Sequence, residues 1–235
     1  GSETTWGQTA HTLSGSYISY GAIKTDGTLW VWGNGSNGSL GQNSTDRVSS
    51  PVQIPGTTWR NFSWDGKVGL ATKTDNTLWA WGQGGWGALG NPSLGEAQRS
   101  SPIQIPGTTW KSTSVGKHGQ CAAVKTDGTL WTWGNGNQGC LGLSQPTNTD
   151  QSSPCQIPGT NWANVVSGSY WSKCAVKTDG TLWTWGYNYN GQLAQNTNTP
   201  VGNVSSPVQI PGTTWSTDLG DSNSGDSAFM WIKTD

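Results

Sequence analysis

Large apolar residues recur along this chain in short alternating stretches, and no segment keeps the sustained three-to-four-residue spacing and caps of an amphipathic helix. The clearest stretch is Leu-Trp-x-Trp-Gly, at 29–33, 78–82, 130–134 and 182–186. Read as a strand, it places Trp30 and Trp32 on one face and Leu29 and Val31 on the other. Both faces are apolar, so such a strand needs cover on both sides. Sheets stacked against sheets provide that cover, and in a ring of blades every sheet has two neighbours.

The alternating stretches sit in a repeat. KTDGTLWVWG at 24–33 returns as KTDNTLWAWG at 73–82 and as KTDGTLWTWG at 125–134 and 177–186, and Lys233-Thr234-Asp235 begins a fifth copy. SSPVQIPGTTW at 49–59 returns at 100–110, 152–162 and 205–215, and its tail opens the chain at Thr4-Thr5-Trp6. Spacings from Trp6 through Trp59, Trp110, Trp162 and Trp215 are 53, 51, 52 and 53 residues. A period of that size marks a repeat architecture. Each unit predicts four short strands. One follows Thr-Thr-Trp, one leads into Lys-Thr-Asp, a tight Asp-Gly hairpin gives the third, and Pro-x-Gln-Ile is a fourth whose proline suits an edge. The expectation is an all-β protein, a β-propeller of four-stranded blades of about 52 residues. It is taken as a single propeller or partial propeller domain over 1–235, with repeats at 6–58, 59–109, 110–161 and 162–214 and a half repeat at 215–235.

Composition sharpens this picture. The chain carries 35 Gly and 17 Trp but only two Phe and one Met, so tight turns are many and indoles supply most of the large core side chains. All tryptophans but Trp64, Trp86, Trp171 and Trp231 belong to the repeated landmarks. Net charge is −1. Five lysines (24, 73, 125, 177, 233) repeat beside an Asp, which predicts local pairing; Arg47, Arg60, Lys67, Arg99, Lys111, Lys117 and Lys173 look scattered. That pattern lacks the basic stripe of a nucleic-acid binder. No apolar run reaches the ~20 residues that span a bilayer as a helix, so membrane insertion is not expected. The opening GSETTW carries no leader pattern, leaving the compartment undecided.

Candidate chemistry is sparse. GNGSNG at 33–38, GQGGWG at 82–87 and GNGNQG at 134–139 imitate a dinucleotide fingerprint, but no helix follows to hold a pyrophosphate. His11 and His118 form no metal-ligand spacing, and the repeated aspartates (26, 75, 127, 179, 235) read as hairpin stabilisers. Residues 221–226, Asp-Ser-Asn-Ser-Gly-Asp, lack the order and closing Glu of an EF-hand loop. No catalytic set, metal or cofactor is expected. A disulfide between Cys140 and Cys155 would close the loop between them; alternatively these are buried thiols replacing small residues of other repeats. Cys121 and Cys174 fall on opposite strand faces and are not expected to pair.

The Thr-Asp-Gly turn, the Trp-Gly strand and the loops NGSLG at 37–41, WGALG at 86–90, QGCLG at 138–142 and NGQLA at 190–194 resemble the regulator of chromosome condensation repeat family over essentially the whole chain. The resemblance implies a propeller. Family functions range from a chromatin-bound exchange factor for a small GTPase to a plant ultraviolet photoreceptor and a secreted β-lactamase inhibitor, and no such site maps onto these residues. The Thr/Asn/Gly-rich repeats are most similar to bacterial and phage members, which favours an extracellular or virion-surface location. Family rings commonly have seven blades. Five first halves and four second halves therefore suggest a piece of a longer protein or a ring with an unfinished blade, through which copies could associate.

Sites on such scaffolds lie where blades differ. The stretches after each Thr-Thr-Trp and each Gly/Asn loop diverge, and Tyr17, Trp64, Trp86, His118, Tyr170 and Trp171 stand out as aromatics among amides and hydroxyls. Such groups suit protein or glycan contact. The same rings could instead simply fill channel-side gaps. Two functions follow: a non-enzymatic binding or adhesive module recognising protein or glycan through blade-end loops, or a purely architectural repeat in a larger assembly.

Overall fold

The computed structural model describes residues 6, 12–16, 18–168, 170–195, 202–218 and 233–234. These residues form four antiparallel four-stranded sheets, each a meander in chain order. Blade 1 comprises β1 (Leu13–Gly15), β2 (Ser19–Ile23), β3 (Leu29–Gly33) and β4 (Val48–Ile54). Blade 2 comprises β5 (Trp59–Trp64), β6 (Val68–Lys73), β7 (Leu78–Gly82) and β8 (Arg99–Ile105). Blade 3 comprises β9 (Trp110–Gly116), β10 (Gln120–Lys125), β11 (Leu130–Gly134) and β12 (Gln151–Ile157). Blade 4 comprises β13 (Trp162–Ser167), β14 (Ser172–Lys177), β15 (Leu182–Gly186) and β16 (Val204–Ile210). The sheets converge at their first strands, where β1, β5, β9 and β13 pack in succession. The dinucleotide-like glycine motifs end in three-residue 3-10 turns at 36–38, 85–87 and 137–139.

The third strands are covered on both faces. Leu29, Leu78, Leu130 and Leu182 are fully buried, as are Trp81, Trp133 and Trp185. Each of those indoles also reaches into the preceding blade. Trp81 Nε1 donates to the Ser39 carbonyl at 2.9 Å, Trp133 to that of Ala88 at 3.0 Å, and Trp185 to that of Cys140 at 2.9 Å. The acceptors lie in the Leu-Gly loops, which explains the glycine there. At Gly142, φ is +69°, and a Cβ would stand 2.7 Å from Trp185 Nε1. A second contact joins the first strands. Ser14 Oγ accepts from Trp64 N, Ser63 Oγ from Val115 N, and Ser114 Oγ from Ser167 N, at 3.1, 2.8 and 2.7 Å.

The Asp-Gly turns work as the sequence suggests, with an added relay. Asp26 Oδ1 accepts from the amide and hydroxyl of Thr28, whose oxygen accepts in turn from Trp30 Nε1 at 2.8 Å. Asp75, Asp127 and Asp179 repeat the arrangement. The Thr hydroxyl first, and its amide next, hold these carboxyls below the usual range. The charges of Lys24, Lys73, Lys125 and Lys177 add to this, each lowering the carboxyl beside it further. Each of these four ammoniums also sits over two indoles, as Lys73 over Trp59 and Trp79 at 4.6 and 4.3 Å and Lys125 over Trp110 and Trp131 at 4.6 and 4.1 Å, and Lys233 sits over Trp215 at 5.5 Å. The indole faces attract the cation, and its stem covers apolar surface.

One charge lies where the repeat elsewhere has Gly69 and Cys121. Lys173 is fully buried, and its Nζ donates to the Gln120 carbonyl at 3.2 Å and to Ser167 Oγ at 2.6 Å. Burial lowers its pKa to about 8.

Candidate functional site

The two ends of the blades differ in what they carry. At one end are the Asp-Gly turns and the connections between blades, tied by bonds such as Trp59 N to the Gly27 carbonyl at 3.0 Å. The other end gathers each sheet's first hairpin and the loop after its third strand. Gln83 N donates to the Lys67 carbonyl at 3.0 Å, Asn135 N to that of Gly119 at 3.3 Å, and Tyr187 N to that of Trp171 at 3.0 Å. Most of the candidate aromatics collect at this second end.

There the imidazole of His118, in the β9–β10 hairpin, stacks on Trp171 of the β13–β14 hairpin, with centroids 4.4 Å apart and planes 12° from parallel. Tyr170 meets Trp171 edge-on at 6.3 Å and approaches Tyr187 at 6.4 Å, and Tyr187 lies 5.1 Å from Tyr189. Trp86 adjoins the same hairpin, since a Cβ on Gly119 would lie 3.7 Å from its ring. Trp86, Tyr170 and Tyr189 are 37, 36 and 56% exposed. The result is a strip of rings across blades 2, 3 and 4.

Both tryptophans of the strip are strained. Trp86 has φ 59° and Trp171 φ 41°, a left-handed region costly for a bulky side chain. Trp171 Nε1 is buried without a hydrogen-bond partner among the described residues. Asp65 anchors the hairpins beneath the strip. Its Oδ1 accepts from Lys67 N and Val68 N, both at 2.7 Å, and its Oδ2 from Gly119 N at 3.3 Å. Burial pushes this carboxyl up to about 6 against the opposing pull of the three amides. Burial also lowers the pKa of His118, and the charges of Lys117 and Lys67 lower it further. Lys117 Nζ stands 5.6 Å from the Tyr170 ring centroid.

The model of the regulator of chromosome condensation (RCC1) repeat matches residues 26–63, 127–174 and 179–217, a little over half of the chain. The chain belongs to the RCC1 repeat family. Among curated relatives it is 24% identical to Protein pim1 of Schizosaccharomyces pombe, over 75% of this chain and 37% of that protein. It is 27% identical to the ultraviolet-B receptor UVR8 of Arabidopsis thaliana, over 80% of this chain and 43% of that protein. The solved structure of human WBSCR16 superposes with TM-score 0.76 at 20% identity, covering 91% of this chain and 56% of that one. Prp20p of Saccharomyces cerevisiae superposes with TM-score 0.74 at 18% identity, covering 89% and 52%. The chain thus spans less than half the length of these curated relatives.

Within the RCC1 repeat, the strip is made of departures. The loop after the third strand reads NGSNGSLG at 34–41, QGGWGALG at 83–90, NGNQGCLG at 135–142 and YNYNGQLA at 187–194. Alignment of these loops marks Trp86, Tyr187 and Tyr189 together. The two tyrosines are absent from the sequence candidates because the comparison of repeats there stopped at the Leu-Gly half of the loop.

Three expectations need correction or lie beyond reach. Trp64 is no surface residue: it is fully buried between blades 1 and 2, 5.7 Å from Phe62, and serves the core. The Cys140–Cys155 disulfide is not formed, and all four cysteines are free. Cys140 is buried in the loop that receives Trp185, its Sγ donating to the Asn135 carbonyl at 3.0 Å, while Cys155 sits on the outermost strand opposite Thr132. Burial pushes the Cys140 thiol up to about 12. Tyr17, His11, Trp231, Asp235 and the 221–226 loop lie outside the described residues. Among the described residues no group of three or more His, Cys, Asp or Glu could hold a metal, and no helix is long and apolar enough to cross a membrane.

Proposed function

We propose that this propeller is a non-enzymatic recognition module that holds a partner protein against the aromatic strip of blades 2–4. RCC1-type propellers are protein-binding modules, and the solved Prp20p structure is described with its binding to Gsp1p and histones. The observation that carries the reading here is the strip itself. Exposed Tyr170 and Tyr189 join through Tyr187 and run on to Trp171 and His118, and exposed Trp86 lies beside the hairpin that carries His118. Tyr and Trp give large contact area at small entropic cost, and they dominate the energetics of protein interfaces. Trp86 takes the left-handed position that Asn37 and Gln138 hold in other repeats, and Trp171 the one that Gly119 holds, so the repeat's own backbone sets both indoles in these loops.

Peptide and glycan arrays probed with the wild-type chain and with Tyr170→Ser/Tyr189→Asn test this reading. Peptide or protein spots that bind the wild type and lose the variant support it. Glycan spots behaving the same way would transfer the strip to sugar recognition, and arrays without strip-dependent binding would overturn both.

An architectural role has one observation of its own. Leu13, Ile18 and Tyr20 on blade 1 are 63, 51 and 47% exposed, the pattern of a sheet face that receives a neighbour. Molar mass in solution by sedimentation equilibrium decides it, a stable higher-order assembly favouring this role and a monomer counting against it.

A further inference from the structure

We infer that Lys173 is a positioning residue of the strip: from inside the junction of blades 3 and 4 its side chain ties the β9–β10 hairpin to the β13–β14 hairpin and so fixes the stack of His118 on Trp171. This rests on the strip being the recognition surface, and adds what holds its centre in shape and what loosens it.

The tie runs in both directions across the junction. Lys173 Nζ, on β14, donates to the Gln120 carbonyl of β10, two residues from His118, and to Ser167 Oγ of its own blade, four residues from Trp171. Gln120 Nε2 donates back to the Gly168 carbonyl at 3.4 Å, and Ser167 N donates to Ser114 Oγ of blade 3 at 2.7 Å. Lys173, Gln120 and Ser167 are all buried, so these bonds act out of water, where they are stronger.

The other junctions are built differently. Tyr20, Gly69, Cys121 and Lys173 stand opposite the second tryptophan of the third strand, and Ser19, Val68, Gln120 and Ser172 opposite its closing glycine. The facing pair is therefore Ser19 and Gly69 between blades 1 and 2, Val68 and Cys121 between blades 2 and 3, and Gln120 and Lys173 between blades 3 and 4. Ser19 Oγ donates within its own blade, to the Asn34 carbonyl, and Cys121 Sγ turns to the carbonyls of Ala88 and Gly119. Among the described residues only the last pair is joined by hydrogen bonds. A buried ammonium without a counter-ion is costly, and it lies at the junction whose first hairpins stack their rings on each other.

The tie answers to pH. Burial lowers the pKa of Lys173 to about 8. The ionisable groups facing it are the thiols of Cys140 and Cys121 in blade 3 and of Cys174 beside it on β14, and burial pushes all three up, so they stay protonated while the lysine titrates. Burial also lowers the pKa of His118 from 6.5, which keeps the imidazole neutral through the same window. Above pH 8 the ammonium becomes an amine, with one hydrogen fewer and without the charge that strengthens its bonds. The hairpins then loosen, and partner binding weakens with base.

The test compares the full chain with Lys173→Met by the NMR signal of the His118 Cε1–H, which the Trp171 ring current displaces; the chain has two histidines, and loss of the signal in His118→Gln assigns it. Both proteins are also applied to the peptide arrays used for the strip. In wild type the signal is expected to move between pH 7 and 9 with a midpoint at about 8, and strip-dependent spots to weaken about threefold over that range. Lys173→Met should show no such midpoint and bind the same spots about tenfold more weakly at pH 7, although it is the more stable protein there. That divergence of binding from stability separates positioning from support. Ser167→Ala, which removes one of the two acceptors, should keep the midpoint and bind with intermediate strength. A signal that is flat with pH and the same in both proteins overturns the inference, and equal array binding by both overturns it while leaving the recognition surface standing. A signal that follows the lysine on a protein without strip-dependent spots upholds the tie and overturns the recognition surface.

Discussion

Replacing Lys173 with Met should make the protein more stable at neutral pH and less stable in strong base. The ammonium is fully buried, and its hydrogen bonds go to a carbonyl and a hydroxyl, neither of which neutralises it. Burial carries its pKa from 10.5 to about 8, which at about 1.4 kcal/mol per unit is a penalty of about 3 kcal/mol on the charged native state. Between pH 8 and 10.5 the unfolded chain holds a proton that the native one has released, so wild-type stability gains from this group as pH rises and the penalty is complete below pH 8. The buried thiols act in the opposite sense above their ordinary 9.0, because the native state keeps their protons. The Lys173 charge lowers all three thiols somewhat, so the difference between variant and wild type reports the lysine most cleanly below pH 9. Met fills similar volume but leaves Ser167 Oγ and the Gln120 carbonyl each without a donor, a loss of about 1 kcal/mol apiece. The variant should therefore gain about 1–2 kcal/mol at pH 7 and lose a similar amount where lysine is neutral in both states. Urea melts of both proteins at intervals from pH 6 to 10.5 measure it. A difference that stays flat across that range would refute a buried, depressed lysine.

Gly142→Ala should cost about 2–4 kcal/mol, from the left-handed backbone and the collision with Trp185, while Gly191→Ala, with φ 72° and nothing within 4 Å of the new Cβ, should cost only about 1–2. Thermal melts separate the two. Trp86→Asn should shift stability by under about 1 kcal/mol, since relief of the backbone offsets lost contact, yet weaken array-identified ligands at least tenfold. Melts and titrations on one preparation read both. Thiol labelling of the native chain should modify half-buried Cys155 first, and Cys121, Cys140 and Cys174 only on unfolding. Early labelling of Cys140 would contradict its place beneath the Trp185 contact.

The blades were legible because local signals agree at each repeat. The 52-residue period, the Asp-Gly turn and the two-faced Leu-Trp-x-Trp strand all point to stacked sheets, and that is the arrangement found. What joins the blades was not legible. The Trp133 bond to Ala88 and the Ser63 bond to Val115 connect residues 45 and 52 positions apart, and only the assembled stack brings them together. The lysine's charge does lower the Asp beside it, but its seat over two indoles was not legible, because strand pairing is what brings those rings together. At the candidate site, Trp86, His118, Tyr170 and Trp171 stood out as aromatics off the repeat, but so did Trp64, and only burial distinguishes it from them. Tyr187 and Tyr189 could have been found by aligning the loops. The link between the first hairpins of blades 2 and 3 could not, because Asp65 meets the Gly119 amide only once the two blades are side by side.

Hydrogen–deuterium exchange with the tightest array-identified protein ligand tests the central claim most directly. Protection should appear at 65–67, 85–87, 117–119, 170–171 and 187–192, with the Asp-Gly turns at 26–28, 75–77, 127–129 and 179–181 unchanged. Protection confined to those turns, or spread evenly over the outer strands, would contradict a recognition surface built from the aromatic strip.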